Sequence, residues 1–356
     1  MSLLNETISA IAPLDAGWME KAQSRVDSLI KPPGSLGRLE ELAVQLAGIT
    51  SSLRPPVQNK VIVLMAGDHG VVEEGVSIAP QEVTYQMLSA FAGGVAGVSV
   101  FSQVVGARLI IVDVGVKVPV DIPGVLSCKV KNGTDNIAKG PAMSRQEAVA
   151  ALEVGIRVAS EQVDAGADVL ALGDMGIGNT TPSSAILACL AGLTPQEATG
   201  RGTFVNDEVL ARKIAAVESA LRINKPDPAD GLDVLAKVGG LEIAGLAGVV
   251  LAAAARRKPV LVDGFISTAA AMIAAKLAPA CRDYMIPAHL SGEQGHRLML
   301  EYLGLKPLLQ LDMRLGEGTG AALAMPLLEA AVGMLTRMAS FQDAGVSDLD
   351  RDKAAG

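Results

Sequence analysis

The segment Arg314-Leu315-Gly316-Glu317-Gly318-Thr319-Gly320, leading into AALAMPLLEAA, sets one carboxylate between glycines in apolar surroundings. Glycines let backbone and ligand approach closely, and apolar flanks could desolvate Glu317 enough to raise its pKa toward that of a general base. The competing reading is a helix-start glutamate that satisfies its own turn and the helix dipole. A second segment, Gly173-Asp174-Met175-Gly176-Ile177-Gly178-Asn179-Thr180-Thr181-Pro182, precedes SSAILACLAGL. With Thr181 as candidate N-cap and Pro182 at the first helical position, it would present free backbone N–H groups where the helix dipole favours an anion such as phosphate. An ordinary tight turn between strand and helix is the alternative. The glycines do not follow the order of a dinucleotide fingerprint and the chain has no Gly-Lys pair for a P-loop, which disfavours a dehydrogenase.

Two further groups are thinner. Ala66-Gly67-Asp68-His69-Gly70-Val71 and His289-Leu290-Ser291-Gly292-Glu293-Gln294-Gly295-His296 hold all three histidines of the chain. A metal site from Asp68, His69 and His289 has to be weighed, but the two later histidines are not spaced as on a zincin helix, and a histidine beside an aspartate is more often a structural hydrogen-bonder. No metal is expected. Lys213, in VLARKIAAV, could reach an anion or simply solvate a helix face.

These residues need elements to hold them. Four aliphatic runs, VIVLMA from Val61, LIIVDVG from Leu109, DVLALG from Asp168 and PVLVDG from Pro259, read as strands buried on both faces. Ala-rich stretches of helical spacing lie between them, the clearest start being the capping box at Ser144-Arg145-Gln146-Glu147. The alternation predicts an α/β fold with a Rossmann-like, doubly wound parallel sheet. Each run delivers an acid at or just past its end (Asp68, Asp113, Asp174, Asp263), so the four are expected to share the rim where such sheets bind ligands. Helical stripes at Leu36–Ile49 and Pro326–Met338 suggest that the chain ends pack together as a small helical domain. The expected division is 1–55 and 326–356 for that domain and 56–325 for the large catalytic domain.

The 356 residues correspond to about 2.4 domains at roughly 150 residues each. A composition of 50% hydrophobic and 19% charged residues is that of a folded protein. A net charge of −8 with five Phe, three Tyr and one Trp provides neither the basic footprint nor the stacking platform of a nucleic-acid binder. Cys128, Cys189 and Cys281, odd in number and far apart, argue against a disulfide framework and for a reducing cytoplasm. The start MSLLNETISAIAP lacks the basic region of a signal peptide, and polar residues interrupt the uncharged stretch Val83–Ala107, so no membrane partner is expected.

Taken together, KPPGSLGRLE, AGDHGV with EEGVSIAPQEVT, GDMGIGNTT, GRGT before ARK, DGF, HLSGEQGH and MRLGEGTGAALA resemble the nicotinate-nucleotide:dimethylbenzimidazole phosphoribosyltransferase family of cobamide (vitamin B12) assembly. Seven ordered motifs spanning about Lys31 to Glu329 are a far more specific signal than any one alone. The resemblance implies a Rossmann-like large domain, a small helical domain from both termini, and a dimer, homomeric or with a paralogous subunit, with active sites near the subunit interface. It implies that nicotinate mononucleotide plus a base gives nicotinate plus an α-linked ribotide, without a cofactor. Glu317 matches the family's catalytic glutamate, and Asp174 stands where the family commonly has a second one. By the same resemblance Gly176, Ile177, Gly178, Asn179, Thr180, Gly202 and Lys213 would hold phosphate and ribose. Ser291, Leu315, Gly316 and Gly318 would line the nicotinate end, and Ala79, Pro80, Val83, Met87 and Met175 the acceptor-base pocket.

The departures bear on the acceptor. Ala79 occupies a position where relatives usually carry Tyr or Ser, and Phe204 and Val209 replace usual glycines. Loss of a pocket donor would weaken selection for an imidazole. Family members that attach phenol or p-cresol exist, so phenolics stand beside dimethylbenzimidazole as expected acceptors. A non-catalytic paralogous subunit, or a nucleotide-binding module completing a partner's active site, is the alternative.

Overall fold

The computed structural model describes residues 2–202 and 206–347; Phe204 lies outside the described residues. Six strands, β1 (Lys60–Gly67), β2 (Ala107–Gly115), β3 (Val125–Ser127), β4 (Val169–Met175), β5 (Val260–Val262) and β6 (Met285–Pro287), form one sheet in the order β3-β2-β1-β4-β5-β6. Every pairing is parallel. The four aliphatic runs are β1, β2, β4 and β5, and β1 and β4 are buried at every position, as strands covered on both faces must be. β3 (VLS) and β6 (MIP) escape sequence reading because neither carries the aliphatic VLV run that marks the equally short β5.

The order places a topological switch point between β1 and β4. From β1 the chain moves outward through β2 and β3, then crosses back to β4 on the other side, and a crevice opens past the carboxyl ends of the two strands. Their register sets Met65 beside Asp174 and Ala66 beside Met175, so β1 and β4 deliver Asp68 and Asp174 to the same rim.

Two helices pack backbone to backbone over the sheet. Arg145–Asp164 starts at the expected capping box, Ser144 Oγ accepting from the Glu147 amide at 3.2 Å and Glu147 Oε2 from the Ser144 amide at 2.7 Å. Its partner Leu241–Ala255 is buried from Leu241 to Ala254, the signature of a helix apolar all round. Glycines permit the approach: a Cβ on Gly155 would stand 1.8 Å from the Gly245 carbonyl oxygen, and one on Gly248 2.0 Å from that of Leu152.

The apolar stretch Glu82–Val104 is long enough to cross a bilayer, but the chain breaks it at Gly93 and Gly94 into helices Glu82–Ala92 and Gly97–Val104. Each is shorter than the roughly 20 residues of a span. Thr319–Arg337 is also apolar and long, and more than half of its most apolar window is buried.

Internal contacts divide the chain into Met1–Ala12 with Asn59–Ala324, and Pro13–Gln58 with Met325–Gly356. In the second unit the two chain ends are stitched together by Arg25 Nη2 donating to the Met338 carbonyl at 2.5 Å and by the Ile30 amide donating to Ala339 O at 2.9 Å. The first twelve residues depart from the expected 1–55 segment. Helix Leu3–Ser9 buries Leu4 and Thr7, the Leu4 amide donates to Glu153 Oε1 at 3.2 Å, and Tyr284 Oη donates to Ala12 O at 2.8 Å, all within the sheet-bearing unit.

Candidate active site

A cavity of about 410 Å³ opens at the switch point. Glu317 lines it from a strained segment, with φ at +83° for Gly316, +64° for Glu317 and +92° for Gly318. A left-handed non-glycine residue persists only where its surroundings over-determine it. Here Asp263, just past β5, accepts from the Gly318 amide at 3.1 Å and the Ala321 amide at 2.8 Å, and Gly316 O accepts from Thr319 Oγ1 at 2.7 Å. From below, the segment rests on bare β4 backbone: a Cβ on Gly173 would lie 2.4 Å from Glu317 O. Glu317 is 7% exposed, its Oε2 has no hydrogen-bond partner, and burial raises its pKa against the lowering effect of the Val98 backbone.

Asp174 closes one wall. Its Oδ2 accepts from Asn179 Nδ2 at 3.1 Å, its Oδ1 has no partner, and Gly316 packs against the carboxyl. Burial, then the charges of Asp263 and Glu242, hold its pKa well above the ordinary value. Burial likewise pushes Asp263 up to about 7, its backbone donors opposing. Asp174, Asp263 and Glu317 thus form a buried carboxyl cluster whose protons titrate together.

The glycine turn after β4 forms the adjoining wall, Asn179 reaching back to Asp174. Gly176 presses on β1, where a Cβ would stand 2.2 Å from Gly67 O, and Gly178 turns at φ +92°. The helix begins at Thr180 with Asn179 as N-cap, so the expected cap Thr181 and leading Pro182 fall inside its first turn. The reason is that Asn179 already has helical φ/ψ and its amide donates to Gly176 O at 3.1 Å. Gly176, Ile177, Gly178, Asn179 and Thr180 all line the cavity. So do Gly202 and Lys213. Lys213 is not on a solvated face: it is 1% exposed, its Nζ donates to Gly200 O at 3.0 Å and Arg201 O at 3.4 Å, and burial lowers its pKa to about 8. Val209 is buried on the same helix.

Ala79, Val83, Met87 and Met175 form an apolar part of the lining, and Ser291, Leu315 and Gly316 belong to it as well. Pro80 and Gly318 do not line the cavity; Gly318 spends its amide on Asp263. The histidines have separate tasks. His69 Nε2 lies 2.7 Å from Glu242 Oε1 beneath the Gly176 turn, while His296, driven down to a pKa of about 3 by burial, accepts from the Ser291 amide through Nδ1 at 2.9 Å. His289 packs near Asp263, 3.9 Å away. Asp68 and Asp113 are buried structural acids, accepting from the amides of Lys117 and Val116 respectively at 2.8 Å. Among the described residues no three His, Cys, Asp or Glu side chains are placed to hold a metal ion.

A family model described as "Phosphoribosyltransferase" matches residues 11–346. The chain belongs to this phosphoribosyltransferase family. It is 55% identical to the nicotinate-nucleotide--dimethylbenzimidazole phosphoribosyltransferase of Alkaliphilus metalliredigens, over 98% of this chain and all of the relative. The identically named protein of Geobacter sulfurreducens is 54% identical over the same shares. Among solved structures, the nicotinate-nucleotide-dimethylbenzimidazole phosphoribosyltransferase of Thermus thermophilus superposes with a TM-score of 0.89 at 46% identity, covering 94% of this chain and all of that one.

In this phosphoribosyltransferase, several cavity residues carry no assignment from sequence: Arg201, Phe265, Glu293 and Arg314 line the cavity, with Asp263 and Glu242 behind them. Glu242 had a legible signal, a lone acid inside the apolar run LEIAGLAGVVLAAAA. Asp263 had a weaker one, its place at a strand end. For Glu293, whose Oε2 accepts from the Gly202 amide at 3.2 Å, nothing local distinguishes it from a solvated acid.

Proposed function

We propose that the protein moves the 5-phosphoribosyl group of nicotinate mononucleotide to a lower-ligand base, 5,6-dimethylbenzimidazole or a phenolic such as phenol or p-cresol, releasing nicotinate and forming an α-ribotide for cobamide assembly. The observation that carries the reading is Glu317: a buried carboxyl with one unpartnered oxygen, in the lining of the same cavity as the glycine turn. Nicotinate leaves as a ring nitrogen that loses its positive charge, so no general acid is required. The incoming base attacks C1 from the opposite face and sheds a proton, for which one carboxylate with a raised pKa suffices. Asp174, in the same lining, is placed to contact ribose, while the turn amides and Lys213 meet the phosphate. The absence of pyrophosphate chemistry fits a single helix-start phosphate site.

Ala79 supports tolerance of phenolics. It contributes no side-chain donor, and Ser77 Oγ is already bonded to the Ala79 backbone, accepting from its amide at 3.2 Å. The working form is a dimer, homomeric or with a paralogous subunit, in the cytoplasm. Val95, in the link before helix Gly97–Val104, and Val104, its last residue, are 75% and 78% exposed and suit a face that a second subunit covers.

Chromatography of released nicotinate tests the reading, with nicotinate mononucleotide and a panel of dimethylbenzimidazole, adenine, phenol and p-cresol. Glu317→Gln should lose roughly 10²- to 10⁴-fold in rate. Release with phenolics assigns the acceptor class to them, and release with dimethylbenzimidazole alone assigns it there. No release with any acceptor would replace the reading by that of a non-catalytic subunit.

A further inference from the structure

We propose that Thr84 is a positioning residue, holding helix Glu82–Ala92 on the acceptor side at a set distance from the glycine turn that anchors the phosphoribosyl donor. This rests on the proposed function, in which two substrates meet at C1 of the ribose. An attacking atom must stand about 3–3.5 Å from the carbon it attacks, and a misplacement of about 1 Å can cost about 10²-fold in rate. The spacing between the two substrates therefore matters as much as the carboxyl that takes the proton.

Different elements hold the two substrates. Val83 and Met87, four residues apart on one face of helix Glu82–Ala92, line the apolar part of the cavity. Gly176, Ile177, Gly178, Asn179 and Thr180 line it from the turn after β4. Thr84 follows Val83 on the helix but is fully buried, and its Oγ1 accepts from the Ile177 amide at 3.1 Å, across 93 residues of chain. The hydroxyl also meets the Asp68 carboxyl, whose pKa burial raises and the Lys117 amide and this hydroxyl lower. With its proton turned to Asp68, the oxygen faces Ile177 as an acceptor. A second tie runs alongside. Gln81, the residue ahead of the helix, donates through Nε2 to His69 O at 3.1 Å, and the His69 ring backs the turn, 3.2 Å from where a Cβ on Gly176 would stand.

The Thr84 bond also sorts the amides of the turn. Ile177 gives its amide to Thr84, Asn179 to Gly176 O at 3.1 Å and Thr181 to Gly178 O at 3.1 Å. Among the described residues the amides of Gly178 and Thr180 have no partner, which leaves these two for an anion. Ile177 thus joins the acceptor side to the turn and does not spend its amide on the phosphate. Removing the Thr84 hydroxyl should disturb the approach of the acceptor to C1 while the donor keeps its own contacts. The loss then appears in the rate at saturation and not in KM for nicotinate mononucleotide.

The test uses the full-length protein and whichever acceptor of the panel the parent uses best, and reads the single-turnover rate of nicotinate release and the steady-state KM. Thr84→Val, which keeps the shape and removes the hydroxyl, should slow the saturated rate roughly 10- to 100-fold with KM for nicotinate mononucleotide within about threefold. Thr84→Ser should recover most of the rate, since it restores the oxygen. Gln81→Ala, at the half-buried second tie, should slow the rate about three- to tenfold, and it decides the matter where Thr84→Val fails to fold. A Thr84→Val protein with a lower urea midpoint but the parent's rate would make the hydroxyl a stabilising group only and overturn the inference, as would Gln81→Ala at the parent's rate. A rise in KM larger than the fall in rate would give the hydroxyl to the phosphate and overturn it too, as would a Thr84→Ser protein as slow as Thr84→Val. Each of these results leaves the transferase reading intact, whereas a parent that releases no nicotinate with any acceptor overturns that reading.

Discussion

Replacing Glu317 by glycine should leave the protein more stable than replacing it by alanine, while both changes abolish activity. Glu317 sits at φ +64°, where an L side chain costs about 1–2 kcal/mol, and glycine pays no such cost. Glycine gives back about 0.5–1 kcal/mol through the greater freedom of its unfolded chain. Relative to Glu317→Ala, which keeps the conformational cost but also removes the carboxyl, Glu317→Gly should therefore be more stable by about 0.5–1 kcal/mol. Both variants lose one oxygen without a partner together with the bond from the Val98 backbone, a loss that is common to the two and cancels in their comparison. Urea denaturation checks this through the midpoint at unchanged slope, and nicotinate release should drop at least about 10²-fold in both. A Glu317→Gly protein less stable than Glu317→Ala would refute the argument that Asp263 and the β4 backbone hold this residue in a conformation it does not prefer.

Three other outcomes follow from the same geometry. Because burial raises the pKa of Asp174 and so favours its protonated form, which an amide mimics, Asp174→Asn should keep kcat/KM within about tenfold of the parent at neutral pH; a loss beyond about 100-fold would mean that its ionised form takes part. The kcat/KM profile should be bell-shaped. Glu317 must be ionised and its pKa is raised, so the acid limb should lie above the ordinary 4.5, while loss of the Lys213 charge as pH climbs through about 8 should raise KM for nicotinate mononucleotide; an acid limb at or below 4.5 would contradict the burial of Glu317. Finally, Gly155→Ala forces a methyl to 1.8 Å from the Gly245 oxygen and should destabilise by about 1–3 kcal/mol or more, read as a lower denaturation midpoint; a neutral effect would show that the two helices can separate freely.

Much of the scaffold is legible in sequence because its signals are local. Val61–Ala66 and Asp168–Gly173 read as buried strands from composition alone, and Ser144 with Glu147 marks a helix start from a spacing of three. The same holds for the glycines around Glu317, whose purpose the φ values make plain. Where an element lacks an aliphatic run, as in β3 and β6, or where a cap depends on the preceding turn, as at Asn179, local pattern misleads.

The amino-acid sequence by itself determined the parallel sheet, the two glycine-rich loops and the family, since each is written in runs of neighbouring residues. Only the tertiary structure decided that Asp263 holds the Glu317 segment, that Lys213 is buried rather than solvated, and that Leu3–Ser9 packs with the sheet-bearing unit. It also decided that the charges of Asp263 and Glu317 add to burial in raising the pKa of Asp174, while Asp113 stands apart, bonded to the Val116 amide. The physical reason is that burial and charge coupling depend on which residues meet through space. That is set by strand order and helix packing among segments far apart in the chain, and no short window of sequence contains both partners.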